Sequence, residues 1–229
     1  MRLKMKSDNN SLKRIIQEIS ILDDEIISAR ILSAKVKKID NPYPPGLLQS
    51  SPRPAAVLIP MLRKESSWHI LYIRRTKNSY DPHSGQVAFP GGAADDDDLD
   101  LTGTALREAN EEIGINPKVI KILGSLNSYY TITNYLVTPV VAHIPWPYVL
   151  NLAPQEVDRA FTIPLEWLAS TNNFEIKMRQ IQSQYQPIPV IYYKPYDGET
   201  LWGASARFTI GLLDTIFGHT ALSAFYNLI

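Results

Sequence analysis

The stretch from Gln86 to Gly114 constrains the fold more than any other part of the chain. Gln86 to Phe89 reads as a short strand, and Pro90, Gly91 and Gly92 stop it. Missing side chains there allow a sharp turn or a close approach of backbone to a ligand. An acidic loop follows, with Asp95, Asp96, Asp97, Asp98 and Asp100. Thr102 or Thr104 is placed to cap a helix running through Leu106 and Ala109 to Ile113, and Gly114 is placed to end it. Together with the mostly strand-like remainder of the chain, this succession best fits an α+β or mixed-sheet fold.

On that helix Glu108 and Glu112 are four residues apart and Glu111 is three beyond Glu108, so their carboxylates share a face. Arg107 neutralises part of their repulsion. Left uncompensated, carboxylates at this spacing cost a helix roughly 0.2–0.5 kcal/mol per pair. Hard divalent cations take such oxygens as ligands and bridge them to phosphates, so magnesium or manganese is the natural inference. The plainer alternative is a solvated acidic surface, where charged clusters usually lie. Composition narrows the chemistry further. The chain has no cysteine and only 4 histidines, which removes thiolate nucleophiles and Cys-based zinc sites. Lys and Arg number 23 against 23 Asp and Glu, a balance that gives no support to a grip on extended nucleic acid. No run approaches the roughly 18 apolar residues of a membrane span, and the first residues lack a secretory leader's apolar core, so a cytoplasmic protein is the default.

Elsewhere the organisation follows periodicity and punctuation. Leu12, Ile15, Ile16, Ile19, Leu22, Ile26 and Ile27 recur at three- and four-residue steps and predict one or two amphipathic helices. A proline-rich connector through Pro42, Pro44, Pro45, Pro52 and Pro54 puts a boundary near residue 50, giving a helical appendage with connector over 1–50 and the main domain over 51–229. Ala55 to Leu62 and Trp68 to Ile73 read as a hairpin around Arg63 to Ser67. Val119 to Leu123, Tyr135 to Ile144 and Pro189 to Tyr193 read as strands, and Ala206 to Phe217 as a helix. Tyr129, Tyr130, Tyr135 and Trp202 offer rings for an organic-group pocket, with core packing the stronger expectation for each and a mainly structural role for Trp202.

The run Arg107-Glu108-Ala109-Asn110-Glu111-Glu112-Ile113-Gly114-Ile115, behind Gly91-Gly92 and an acidic loop, resembles the signature of the Nudix hydrolases. That signature reads Gly, five residues, Glu, seven residues, Arg-Glu, an apolar residue, any residue, Glu-Glu, any residue, Gly, an apolar residue. The second half matches throughout. In the first half Gly92 is one residue too far from Arg107, and counting back from Arg107 puts Leu99 in place of the early Glu, with Asp98 the nearby substitute. The resemblance implies a Nudix-like α/β/α sandwich with a mixed β-sheet. It implies metal ligation by Glu108, Glu111, Glu112 and the Gly91 carbonyl. It also implies coordination or water activation by Glu108, orientation of the carboxylates by Arg107, and a tight turn beside the substrate at Gly92.

Upstream, Leu71-Tyr72-Ile73-Arg74-Arg75-Thr76 and His83-Ser84-Gly85-Gln86-Val87-Ala88-Phe89-Pro90-Gly91-Gly92 resemble the extra motif of the branch containing coenzyme A pyrophosphatases, with Tyr80 or Asp81 where that branch carries an arginine. Arg75 is then the residue expected on a substrate phosphate, with a surface salt bridge as its alternative, and His83 either binds substrate or orients its loop. Glu156 is the reserve candidate for water activation. The resemblance implies metal-dependent hydrolysis of the diphosphate linkage in coenzyme A or an acyl-coenzyme A, giving a 4'-phosphopantetheine species and adenosine 3',5'-bisphosphate. Two other functions stay open: the same chemistry on ADP-ribose, another dinucleotide or a nucleoside triphosphate, and a catalytically weak module that binds nucleotides or proteins. The N-terminal segment has two open uses, packing on the catalytic domain or forming part of a homodimer interface.

Overall fold

Alternation along the strands decides the layers. The computed structural model describes residues 2–3, 9–34, 43, 47–48, 51–77, 84–181 and 183–218. Strands are β1 (Arg2–Leu3), β2 (Arg53–Lys64), β3 (Ser67–Arg75), β4 (Val87–Ala88), β5 (Gly91–Ala93), β6 (Lys121–Ser125), β7 (Tyr129–Tyr130), β8 (Tyr135–His143), β9 (Val157–Pro164), β10 (Phe174–Arg179) and β11 (Ile188–Tyr193). Helices are α1 (Asn9–Ile21), α2 (Asp24–Ser33), α3 (Leu101–Ile113), α4 (Leu165–Ala169) and α5 (Gly203–Phe217). In β2, Ala55, Ile59 and Met61 enter one apolar cluster while Ala56 and Leu58 enter another, as a period of two requires when both faces are covered.

The principal sheet runs β4-β3-β2-β8-β6, with β5 added to β2, β7 to β8 and β9 to β3. It is mixed, because β2 and β8 are parallel while β2 pairs antiparallel with β3 and β5. The β2–β3 hairpin forms as the sequence predicts, closing through Glu65 and Ser66, both with positive φ. A smaller antiparallel sheet has the order β1-β10-β11.

Helix α3 covers one face. Its small residues Ala105 and Ala109 are fully buried against Ala56, Leu58, Val140 and Ala142, so helix and sheet approach closely. The opposite face packs on the remaining helices. There Ile15 and Ile19 of α1 and Ile27 and Ile31 of α2 bury in the same cluster as Ile59, Ile70, Tyr72, Ile210 and Leu213. Trp68 Nε1 donates to the Leu22 carbonyl at 3.1 Å and fixes the joint between α1 and α2. Of the one or two helices expected from the N-terminal periodicity, two are present, and both pack on the sheet.

Boundaries differ in physically readable ways. Helix α3 is capped by Asp100, whose carboxylate accepts from the Gly103 N–H at 2.7 Å, rather than by Thr102 or Thr104. Gly114 ends it in the left-handed conformation at φ 70°, where an added Cβ would lie 2.7 Å from Asn151 Cβ. The strand expected from Val119 begins at Lys121, because Pro117–Val119 forms a single 3-10 turn capped by Asn116. Among the described residues no helix is long and apolar enough to cross a membrane.

Candidate active site

Four chain segments meet where the glycines of β5 approach α3. Gly91 and Gly92 pair with Val57 and Ala56, and the Gly91 N–H donates to Glu112 Oε2 at 3.0 Å. Neither glycine has room for a side chain. A Cβ on Gly91 would lie 2.4 Å from the Ala56 carbonyl oxygen, and one on Gly92 would lie 2.5 Å from the Glu108 carboxylate. The glycine turn thus lets backbone sit directly against two of the expected acidic residues.

Arg107 organises the acidic loop and the helix together. Its Nε and Nη2 each reach Asp98 at 3.0 Å, Nη2 also reaches the Ala93 carbonyl at 3.1 Å, and Nη1 reaches Glu108 at 2.8 Å and Glu111 at 3.2 Å. Every guanidinium N–H has an acceptor. Asp98 also accepts from Thr104 Oγ1 at 2.8 Å and from the Asp95 N–H at 2.9 Å. The Arg107 hydrogen bonds, with those of Asp95 and Thr104, hold its carboxyl well below the usual range. Passing over five residues after Gly92 reaches Asp98, which places the extra residue of this chain between Asp98 and Arg107. Leu99 is fully exposed, at 101% of its reference area, and takes no part.

Glu112 is the most buried acid of the site, at 1% exposure. Burial pushes its pKa up to about 8, with the neighbouring charges of Glu108 and Glu156 adding to that push against the Gly91 hydrogen bond and Arg75. Arg75, at the end of β3, reaches Glu112 Oε1 at 3.3 Å, while adjacent Arg74 points to the other side and pairs with Asp158 and Glu199. Burial likewise raises the Glu108 pKa, helped by Glu111 and Glu156 and opposed by Arg107. Glu156 is exposed on the loop after β8, which is tied to α3 by Ala153 N–H to the Glu112 carbonyl at 2.9 Å and to β3 by Thr76 N–H to the Glu156 carbonyl at 2.9 Å.

Of the residues expected here, Gly91, Gly92, Arg75, Arg107, Glu108, Glu112 and Glu156 come together. Glu111 lies at the rim, its side chain 58% exposed and bound to Arg107. His83, Tyr80 and Asp81 lie outside the described residues. Two of the aromatic candidates are engaged in ring packing: Trp202 stacks on Tyr192 with planes 1° apart, and Tyr129 meets Phe208 edge-on.

This donor set fits a hard divalent cation, because burial raises the pKa of Glu112 and of Glu108 even though Arg75 and Arg107 oppose the shift, so further positive charge would suit their ionised forms. Among the described residues no three acidic or imidazole groups converge on one point as they stand. Arg107 draws Glu108 and Glu111 to itself and Arg75 holds Glu112, so a cation would take over oxygens now shared with guanidinium groups.

The NUDIX domain matches residues 52–183. A relative from Photorhabdus laumondii, called uncharacterized Nudix hydrolase NudL, is 35% identical over 166 residues, covering 72% of this chain and 86% of the relative. Its namesake from Enterobacter sp. is 36% identical over 154 residues, covering 67% and 78% respectively. The solved C. elegans Ap4A hydrolase in a binary complex shows 24% identity and a TM-score of 0.42 over 50% of this chain and 81% of that one. With the profile spanning more than half of the sequence and relatives matched over most of their length, the chain belongs to the Nudix hydrolase family.

Proposed function

We propose that this protein hydrolyses the diphosphate linkage of coenzyme A or an acyl-coenzyme A with magnesium or manganese, releasing a 4'-phosphopantetheine species and adenosine 3',5'-bisphosphate. The observation that carries the reaction class is buried Glu112, with half-buried Glu108 a helical turn before it, against the Gly91–Gly92 backbone. Carboxylates whose charge burial disfavours serve a cation better than they serve stability. Bound there, divalent cations neutralise the diphosphate and lower the pKa of the attacking water.

Glu108, Glu111, Glu112 and the Gly91 carbonyl are the proposed ligands, and Arg107 orients the first two. Glu108 or Glu156 accepts the proton of the attacking water. Arg75 exchanges Glu112 for a phosphate oxygen, and His83 contacts the substrate from its loop. Support for coenzyme A comes from the upstream motif, whose two halves lie side by side. Ile73 and Arg74 pair with Ala88 and Val87, and the Arg75 N–H donates to the Gln86 carbonyl at 3.0 Å. The arginine and the Phe-Pro-Gly-Gly turn of that motif therefore border one site.

Product analysis with each metal across coenzyme A, acyl-coenzyme A, ADP-ribose, NADH and nucleoside triphosphates tests the proposal. Preference for the coenzyme A compounds is expected. Equal or better turnover of ADP-ribose or a triphosphate rejects the substrate, and tight nucleotide binding without any metal-dependent product rejects the enzyme reading.

A further inference from the structure

The sheet register sets two arginines face to face, and Glu199 lies between them. Arg74 of β3 and Arg159 of β9 are direct cross-strand partners, a position in which like charges repel. Glu199 Oε1 accepts from Arg74 Nη1 at 2.9 Å and from Arg159 Nη1 at 3.1 Å, and its side chain is only 7% exposed. Arg74 also donates to Asp158 through Nε at 3.1 Å and Nη2 at 2.6 Å, and Arg159 donates to Asp197. One buried carboxylate thus joins two strands that their own charges would push apart.

The network sits on a bulge. Arg74 pairs with Arg159 but Arg75 pairs with Val157, leaving Asp158 as the extra residue. Phe161 and Ile163 bury in the cluster opposite α3, and Arg159 lies with them, its guanidinium 5.2 Å from the Phe161 ring centre. Regular alternation would carry Val157 to that same side. Instead Val157 is buried with Leu71, Ile73 and Ile113 on the α3 side. The bulge turns the chain over at the point where β9 begins after Glu156 and β3 ends at Arg75.

We propose that Glu199 is a positioning residue for the hydrolytic site: by neutralising Arg74 and Arg159 across the bulge, it keeps Arg75 on Glu112 and Glu156 beside the carboxylate cluster. This rests on the diphosphate hydrolase reading, in which Arg75 and Glu156 serve the reaction. Glu199 itself bonds to arginines on the other side of the strands and acts through the backbone.

The test compares the full chain with Glu199→Gln and with the double variant Arg159→Gln/Glu199→Gln, which removes the opposed like charges. The single variant is expected to lose about 10-fold in kcat/KM on coenzyme A with magnesium, the lower range for outer residues that orient ligands, and the double variant to recover most of it. Amide hydrogen exchange supplies a readout independent of turnover. The Thr76 N–H, bonded to the Glu156 carbonyl, and the Val157 N–H, bonded to the Ala153 carbonyl, should exchange faster in the single variant and recover in the double. Exchange in the centre of β2 should stay unchanged. Native exchange at Thr76 and Val157, native kinetics in the single variant, or a sheet-wide loss of protection that the double variant does not recover would each overturn the proposal. If the native chain hydrolyses no diphosphate, the functional reading fails, and the exchange comparison alone decides whether Glu199 holds the bulge.

Discussion

Asp98 grips Arg107 through two parallel hydrogen bonds, both at 3.0 Å, and so couples the acidic loop to the helix that carries Glu108, Glu111 and Glu112. A bidentate guanidinium–carboxylate pair fixes orientation as well as charge. Arg107 spends its remaining donors on the Ala93 carbonyl, Glu108 and Glu111, so releasing it disturbs the turn and both glutamates together.

Asp98→Ala should therefore lower metal-dependent turnover by about 10- to 100-fold and raise the metal concentration needed for half-maximal activity, as loss of a ligand's supporting partner does. Leu99→Ala should leave both unchanged, since that side chain is fully exposed. Steady-state kinetics against magnesium concentration decides the matter: a larger defect in the Leu99 variant would return the early acidic position to residue 99.

The two glycines should fail in different ways. Gly92→Ala places a methyl 2.5 Å from the Glu108 carboxylate, at the movable end of a side chain, so it should abolish most turnover with little change in melting temperature. Gly91→Ala places one 2.4 Å from the Ala56 carbonyl oxygen and 2.6 Å from Val57 Cα, both backbone atoms. Pairing of β5 with β2 must then shift, at a cost of roughly 1–3 kcal/mol. Melting curves beside activity assays separate the two, and equal loss of stability in both variants would contradict the difference in what each Cβ meets.

Those contrasts also show which parts of the molecule could be read from the sequence. Local signals carried well: the apolar runs Ala55 to Leu62 and Trp68 to Ile73 around a charged turn marked the β2–β3 hairpin, and the three-to-four step with Gly114 behind it marked α3. Asp98 was obscured because the inserted residue follows it, so counting back from Arg107 reaches Leu99 whereas counting forward from Gly92 reaches Asp98. β9 escaped because Asp158 bulges and breaks the period of two that marks a strand. The Arg74–Glu199 contact spans 125 residues, and no spacing rule links a β3 arginine to a carboxylate that far along the chain. The positions of Arg75 and Glu156 beside α3 depend on the same long-range pairing.

Packing of the N-terminal helices gives a separate stability prediction. Ile27 is fully buried in the cluster that holds the sheet's inner residues, whereas Leu32, on the opposite side of the same helix, is 77% exposed. Ile27→Ala should cost about 2–5 kcal/mol of unfolding free energy, and Leu32→Ala close to nothing. Denaturant titration of the full chain checks both. A separate, early transition in the Ile27 variant would show the helices unfolding apart from the sheet rather than with it.

The last prediction concerns pH in the metal-free protein. Glu112 has a folded-state pKa of about 8 against an ordinary value of 4.5, chiefly because burial penalises its charge, and Glu108 is displaced in the same direction. Between those values the folded chain binds protons that the unfolded chain has released. The stabilisation is thus complete below about pH 4.5 and is lost as pH rises through about 8. With chelator present, the melting temperature of the native chain should fall across this window relative to Glu112→Gln, which stays neutral. Added magnesium should reverse the trend, because a cation stabilises the ionised carboxylate and binds more tightly as protons leave. Parallel curves for the native and Glu112→Gln proteins, with and without metal, would mean that Glu112 neither holds a proton in the folded state nor meets a cation there.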